Sequence, residues 1–394
     1  MHKNIVIAGG ARTPIGKFGG AMKSLSAADL GVAAATAALE RSGVPSDAVD
    51  EVIFGNGRQA GVRPNVARQI GYRSGPGKRV PAYTINKACG SSLKAITNAY
   101  GAIALGDADV VLAGGTESMS NTPYLLLDAR WGQRLGHGEI TDGMYRDGFS
   151  CPLCEELMGD TAENLADEYD ITREECDRYA LETQQRCERA RGEGLFAEEI
   201  VPVEVPGRKG AVETITTDAH PRDGVTMASL EKLAPVFRKD GTVHAGNASG
   251  ITDGAAAVVV LSEDKARELS VPPLARIAGY ASAGVDPRIM GIGPVPAIRK
   301  LLDKTGLRLE DIDLIELNEA FAAQVIACQR ELDYDPDRLN VNGGAIALGH
   351  PIGATGARIV VTLAYEMKRR GARHGIATLC ISGGMGLALL LEAL

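Results

Sequence analysis

The stretch Asn86–Ala95, NKACGSSLKA, sets a cysteine among small residues where an apolar-periodic run begins. If a helix starts near Gly90 or Ser91, the Cys89 thiol faces its free N–H groups and the positive end of its dipole. Both favour a thiolate, and small neighbours let a substrate approach. That pattern predicts a nucleophile; the competing reading is a buried cysteine that closes a strand. A second stretch, NVNGGAIALGHPIGATGAR, ends a glycine-studded loop at His350, with a helix expected from about Ala354. An imidazole there is a base for a nearby thiol, or else a loop histidine bonded to its own backbone. A phosphate-cradling loop is a poor match, because it lacks the Lys-Ser/Thr pair of a P-loop and the dinucleotide spacing.

Two further residues interrupt apolar strands. Cys380, in IATLCISGGMG, precedes a glycine turn at a strand end, where sites of α/β sheets form. Its thiol titrates near enough to neutrality to take and return a proton; alone it reads equally well as a small apolar filler. Asn318, in LIELNEAFAAQ, stands where a buried strand becomes a helix. It is either a helix N-cap or an amide that donates to an oxyanion, directly or through water.

The elements that must position these groups repeat. ALERSGVPSDAVDEVIFGN (38–56) resembles LLDKTGLRLEDIDLIELNE (301–319), each an amphipathic helix, a glycine cap, a linker and a buried strand. ADVVLAGG (108–115) likewise resembles ATLCISGG (377–384), each an apolar strand ending in Gly-Gly. After Gly384 the chain enters a last strand at once, whereas the corresponding strand after Gly115 arrives only at Gly254. Residues 119–248 therefore read as an insertion, charge-rich and helical in AENLADEYDITREECDRYALETQQRCERAR, forming a lid. The expected division is 1–118 plus 249–271, the insertion 119–248, and 272–394. Unbroken apolar strands between helices imply helix-covered α/β sheets, with the site where the pseudo-twofold brings Cys89 and His350 together.

Composition excludes several classes. A net charge of −8 and 4% aromatics argue against nucleic acid as a partner. No apolar run has membrane-spanning length, and IVIAGG near the start reads as a buried strand rather than a signal-peptide core. Seven scattered cysteines suit a reducing, cytoplasm-like compartment. CPLC, Cys151 to Cys154, lacks the partner pair that a zinc or redox reading needs, and reads as two incidental cysteines of the insertion.

The motifs NKACGSSLKAI, AGGTESMS, HAGNASGITDGAAA, NEAFAAQ, NVNGGAIALGHPIGATGAR and LCISGGMG, in this order, make the chain resemble the thiolase family of the acetyl-CoA acetyltransferase type over essentially its whole length. The resemblance implies a five-layer α-β-α-β-α fold of two similar halves with an inserted lid. It also implies that Cys89 is acylated by an acyl-CoA with His350 as base, and that Cys380 deprotonates a second acetyl-CoA. His350 and a water on Asn318 would hold the enolate, and the backbone N–H groups of Cys89 and Ser382 the tetrahedral oxyanion. It implies CoA contacts from Arg222, Phe237 and Ser249, and an acyl pocket of Leu157, Met158 and Phe321; without it these six read as a solvated arginine, a loop serine and core side chains. No metal or redox cofactor is implied, and the expected assembly is a homodimer or homotetramer.

Two positions depart from the family pattern. Leu157 replaces a histidine usual in acetoacetyl-type members, which predicts a more apolar pocket and room for longer chains. Ser382 replaces a usual glycine, keeping the N–H but adding a side chain. Three other readings follow: a broader-chain 3-ketoacyl-CoA thiolase of fatty-acid breakdown, a decarboxylating ketosynthase, which Cys380 opposes, and a CoA-binding scaffold without activity, which all four site residues oppose.

Overall fold

The computed structural model describes residues 3–207 and 210–394. Met1 and His2, at the head of the opening stretch, and Arg208 and Lys209, inside the expected insertion, lie outside them. The first half contributes β1 (Ile5–Arg12), β2 (Glu51–Gly55), β3 (Ala82–Ile85), β4 (Val110–Ser118) and β5 (Thr252–Ser262). The second contributes β6 (Ala275–Gly284), β7 (Leu314–Leu317), β8 (His374–Ile381) and β9 (Met385–Glu392). Their order is β3-β2-β4-β5-β1 and then β6-β9-β8-β7, the same path walked from either end. β1 and β6 meet only at Val6 with Arg276 and Ile7 with Ala275. That short contact joins the halves into one hydrogen-bonded sheet.

Alternation along the strands sets the layers. Val110 and Leu112 of β4 pack outward with Ala34 and Leu39 of α1 (Ala27–Ser42), which α2 (Val66–Arg73) flanks. Val111 and Ala113 turn inward to Ile96 of α3 (Ser91–Leu105) and Val360 of α8 (Thr355–Arg370). Leu379 and Leu389 of β8 and β9 reach the same central core from the other side. Ile376 and Leu390 face outward, toward α6 (Pro294–Thr305) and α7 (Ala322–Leu332). The result is the five-layer α-β-α-β-α arrangement, with α3 and α8 as the shared middle layer.

The repeat has a marker that fixes its register. Asp50 accepts the N–H groups of Asp109 and Val110 at 2.8 and 2.9 Å. Asp313 accepts those of Arg373 and His374 at the same 2.8 and 2.9 Å. Val110 therefore corresponds to His374, and Cys380 to Thr116. This overturns the equation of Gly114-Gly115 with Gly383-Gly384. The first pair lies inside β4, paired with Ala257 and Ala256 of β5. Its reason is close approach: a Cβ on Gly115 would stand 2.0 Å from the Gly353 carbonyl oxygen. The second pair turns the chain between β8 and β9, with φ of 83° and 80° that a side chain would strain. One dipeptide thus answers two different physical demands.

β4 and β5 pair antiparallel as neighbours from Val110–Leu261 to Ser118–Asp253, and the chain between them leaves the sheet. It carries α4 (Met158–Glu168) and α5 (Arg173–Gly192), the latter capped by reciprocal Thr172 and Glu175 bonds. Arg12, at the end of β1, moors this segment. Its Nε donates to Glu199 at 2.7 Å, and its two terminal nitrogens donate to Asp218 at 2.7 and 3.0 Å, all buried. Two carboxylates around one guanidinium satisfy its fork, whereas stripping one partner from such a buried group costs about 3–5 kcal/mol. Among the described residues no helix is long and apolar enough to cross a membrane.

Candidate active site

The turn after β3 displays Cys89. Ala88 takes a left-handed φ of 44°, a conformation that costs a non-glycine residue about 1 kcal/mol and needs support. Asn86 supplies it by accepting the Ala88 N–H at 3.0 Å, while the Ser91 hydroxyl accepts the Lys87 N–H and donates to the Ala88 carbonyl at 2.6 Å. α3 then begins at Ser91 with Gly90 as its cap, where a Cβ would meet Ile381 at 2.5 Å. The lip of small residues is thus a packing requirement as much as an approach path. Burial pushes the Cys89 thiol up, against the Arg58 charge and the Ser382 N–H that draw it down. Burial wins over the helix end, whose field is worth only about 0.3–1 kcal/mol.

His350 is buried before the start of α8, in the mirrored position. Its Nδ1 lies 2.6 Å from the Thr355 hydroxyl, which sits 3.0 Å from the Pro351 carbonyl. That carbonyl takes the hydroxyl hydrogen, so the hydroxyl accepts from Nδ1–H and Nε2 presents a lone pair. Nε2 lies 3.5 Å from the Asn318 amide nitrogen. Burial, then the charges of Arg358 and Arg58, hold the imidazole neutral with its pKa lowered to about 3. Asn318 is not a helix cap: α7 begins at Ala322 with Phe321 as its cap. The buried Asn318 Oδ1 has no hydrogen-bond partner.

Cys89 and His350 line one cavity of about 390 Å³, with Leu157, Met158, Phe321, Phe237, Ser249, Arg222 and Ser382 also on its wall. Phe237 and Phe321 meet edge to face at 6.5 Å. Phe237 also packs on α4 where Gly159 leaves no room for a Cβ, which would stand 2.2 Å from the ring. Cys380 is brought close but not into the open cavity. It is fully buried at the end of β8, packed with Met290 and Ala320 beneath Met158 and Phe321. Burial, and then its neighbour Cys89, push its thiol well up. Cys151 and Cys154 lie on a tight hairpin that returns to Leu157. Among the described residues no three or more His, Cys, Asp or Glu are placed to hold a metal ion.

Sequence reasoning missed the carboxylates that clamp these loops. Glu117, buried in β4, accepts from the N–H groups of Gly57 at 2.9 Å, Arg58 at 3.1 Å and Gly353 at 2.8 Å, and from the Asn56 amide at 2.8 Å. It ties the first half to the loop three residues beyond His350. Glu319 does the same from the other side, binding Tyr179 and Thr183 of α5, Asn340 and the Ile346 N–H. A charged residue at the end of an apolar strand, in AGGTES, was the available signal. Glu117→Gln turns an acceptor into a donor against this ring of N–H groups. The expected outcome is a fall in kcat of about tenfold or more with KM little changed, since small misplacements of reacting groups are costly. Steady-state kinetics beside a melting curve check it.

Residues 5–264 match the family model for the thiolase N-terminal domain and residues 271–393 that for the C-terminal domain. The chain belongs to the thiolase family. It is 51% identical over 398 residues, with full coverage of both chains, to a protein of Syntrophomonas wolfei named acetyl-CoA acetyltransferase. The crystal structure of the Bacillus anthracis acetyl-CoA acetyltransferase superposes with a TM-score of 0.97 at 49% identity, covering 100% of this chain and 99% of that one. Human mitochondrial 3-ketoacyl-CoA thiolase in complex with CoA superposes with a TM-score of 0.96 at 46% identity, covering 100% and 98%.

Proposed function

We propose that this thiolase catalyses the reversible Claisen condensation of two acetyl-CoA molecules to acetoacetyl-CoA and CoA. The observation that carries the reading is the juxtaposition, in one cavity of a thiolase fold, of Cys89 with the Nε2 lone pair of a neutral His350. In this reading Nε2 takes the Cys89 proton, and sulfur attacks the thioester carbon. The resulting oxyanion draws on the backbone N–H groups of Cys89 and Ser382. The bond to the CoA sulfur then breaks, and that sulfur receives the proton from the imidazolium. A second acetyl-CoA enters; Cys380, having passed its own proton to Nε2, removes one from the α-carbon, and the imidazolium and a water on Asn318 hold the enolate oxygen. Carbon attack on acyl-Cys89 expels the Cys89 thiolate, which takes the imidazolium proton as acetoacetyl-CoA leaves, and thiolysis is the same path reversed.

Ser249, Phe237 and Arg222 line the same cavity, the first two half-buried and the arginine exposed, a lining suited to the CoA arm. The thioester supplies the activation, so the scheme assigns no further cofactor. The two halves with an inserted lid are part of the same reading. Seven free cysteines suit a reducing cytoplasm. An exposed apolar loop bearing Tyr124, Leu126, Trp131, Leu135 and Ile140 supports assembly into a homodimer or homotetramer, because monomers seldom leave such a patch bare.

The apolar wall of Leu157, Met158 and Phe321 favours a second reading, a broader-chain 3-ketoacyl-CoA thiolase. A series of 3-ketoacyl-CoAs with added CoA distinguishes them. Loss of the ketoacyl thioester absorbance with the highest kcat/KM at four carbons is expected. An optimum at six carbons or more overturns the acetoacetyl assignment, and no turnover at any length overturns the enzyme.

A further inference from the structure

Arg58 has no place in the scheme above, yet it is the most costly side chain on the cavity wall. It is 5% exposed, and its Nε and one terminal nitrogen have no hydrogen-bond partner. The other terminal nitrogen donates only to a neutral acceptor, the Asp147 carbonyl, at 3.2 Å. The guanidinium lies 5.8 Å over the Phe149 ring, and that ring packs with Cys89 around Met119, Met144 and Ile352. The nearby Glu117 has both carboxylate oxygens engaged by the four donors that clamp the loops, and among the described residues no salt bridge reaches Arg58. A buried cation without a bound counter-charge is expensive unless an anion forms beside it.

We propose that Arg58 is a further functional residue of this thiolase, supplying the fixed positive charge against which negative charge develops on the Cys89 sulfur. Other charged or titratable groups around Cys89 do not take this part. Glu117 opposes a thiolate, His350 is neutral, and Cys380 is a buried thiol. The Arg58 charge is the first influence that draws the Cys89 thiol down against burial, and the same charge weakens His350 as a base. The two effects suit different moments of one cycle. The proton leaving Sγ goes to Nε2, and an imidazolium made more acidic by Arg58 passes it readily to the departing CoA sulfur. The inference rests on the thiolase reading for its purpose, but its test needs no turnover.

The test is the rate of Cys89 carbamidomethylation by iodoacetamide, followed by peptide mass from pH 6 to 11.5, with Cys89→Ala as the blank. Arg58→Met is expected to react about tenfold more slowly near pH 7, with its midpoint about one pH unit higher, and Arg58→Lys to recover most of the rate. Recovery by Arg58→Lys separates charge from packing, because a loss of packing would shift the midpoint in the lysine variant as well. Should Arg58→Met fail to fold, Arg58→Gln, which keeps a donor for the Asp147 carbonyl without the charge, serves in its place. An unchanged midpoint in the uncharged variant overturns the proposal, whatever the enzyme's activity.

Discussion

Cys89→Ala abolishes covalent labelling of the protein by radiolabelled acetyl-CoA and lowers turnover by about 10⁴-fold or more, the scale seen when a covalent nucleophile is removed. The expectation follows from how little else on the cavity wall can replace the sulfur. Ser91 and Ser92 are fully buried, with the first hydroxyl spent on Ala88 and the second on the Ala357 N–H. Ser382 also lines the cavity, but a hydroxyl is a far weaker nucleophile than a thiol. The variant should fold, because Cys89 sits half-buried and the left-handed Ala88 is held by Asn86 rather than by the thiol. Labelling that persists at Cys89→Ala, mapped to another residue, would remove the acyl-cysteine from the mechanism.

The second large effect separates the two half-reactions. Cys380→Ala keeps labelling at Cys89 and loses condensation, by about 10³-fold or more for loss of a positioned base. Cys380 lies under Met158 and Phe321, fully buried, so water does not readily stand in for it. Burial that raises a thiol so far also makes its thiolate a strong base once formed, which is what a weak carbon acid demands. The corresponding residue of the first half is Thr116, whose hydroxyl is committed to the Ala27 carbonyl at 2.6 Å. Only one half is therefore equipped for carbon chemistry. The check is paired: acetyl transfer measured by mass, and acetoacetyl-CoA formation measured by absorbance. A Cys380→Ala protein that still condenses removes that thiol from its role.

Local patterns carried most of the architecture. The display of Cys89 at a helix start was legible in its small neighbours, which close packing at Gly90 requires, and the paired Asp50 and Asp313 segments repeat because each holds the head of a strand. The glycine pairs misled for a physical reason. Glycine answers both a close backbone approach, as at Gly115, and a left-handed turn, as at Gly383, and composition does not separate the two. Arg58, Glu117 and Glu319 were not singled out because their partners come from distant segments, largely main-chain groups for the first two and largely side chains for Glu319. Such bonds leave no residue signature. The desolvation that opposes a thiolate at Cys89 is equally hidden from local sequence, since it depends on everything packed around the sulfur.

The crossing of α3 and α8 at their first turns has a consequence for how such a chain can change. The Ala357 N–H donates to the Ser92 hydroxyl at 2.9 Å, and a Cβ on Gly356 would strike the Leu93 nitrogen at 2.4 Å. Cys89 and His350 are thus riveted together at the molecule's midpoint, with no slack for a hinge between the halves. In the proposed scheme, differences in what is accepted fall to the hairpin and helix that bring Leu157 and Met158 to the wall. On that scheme reactivity and selectivity lie on separate stretches of polypeptide, so substitutions can retune one while leaving the other in place.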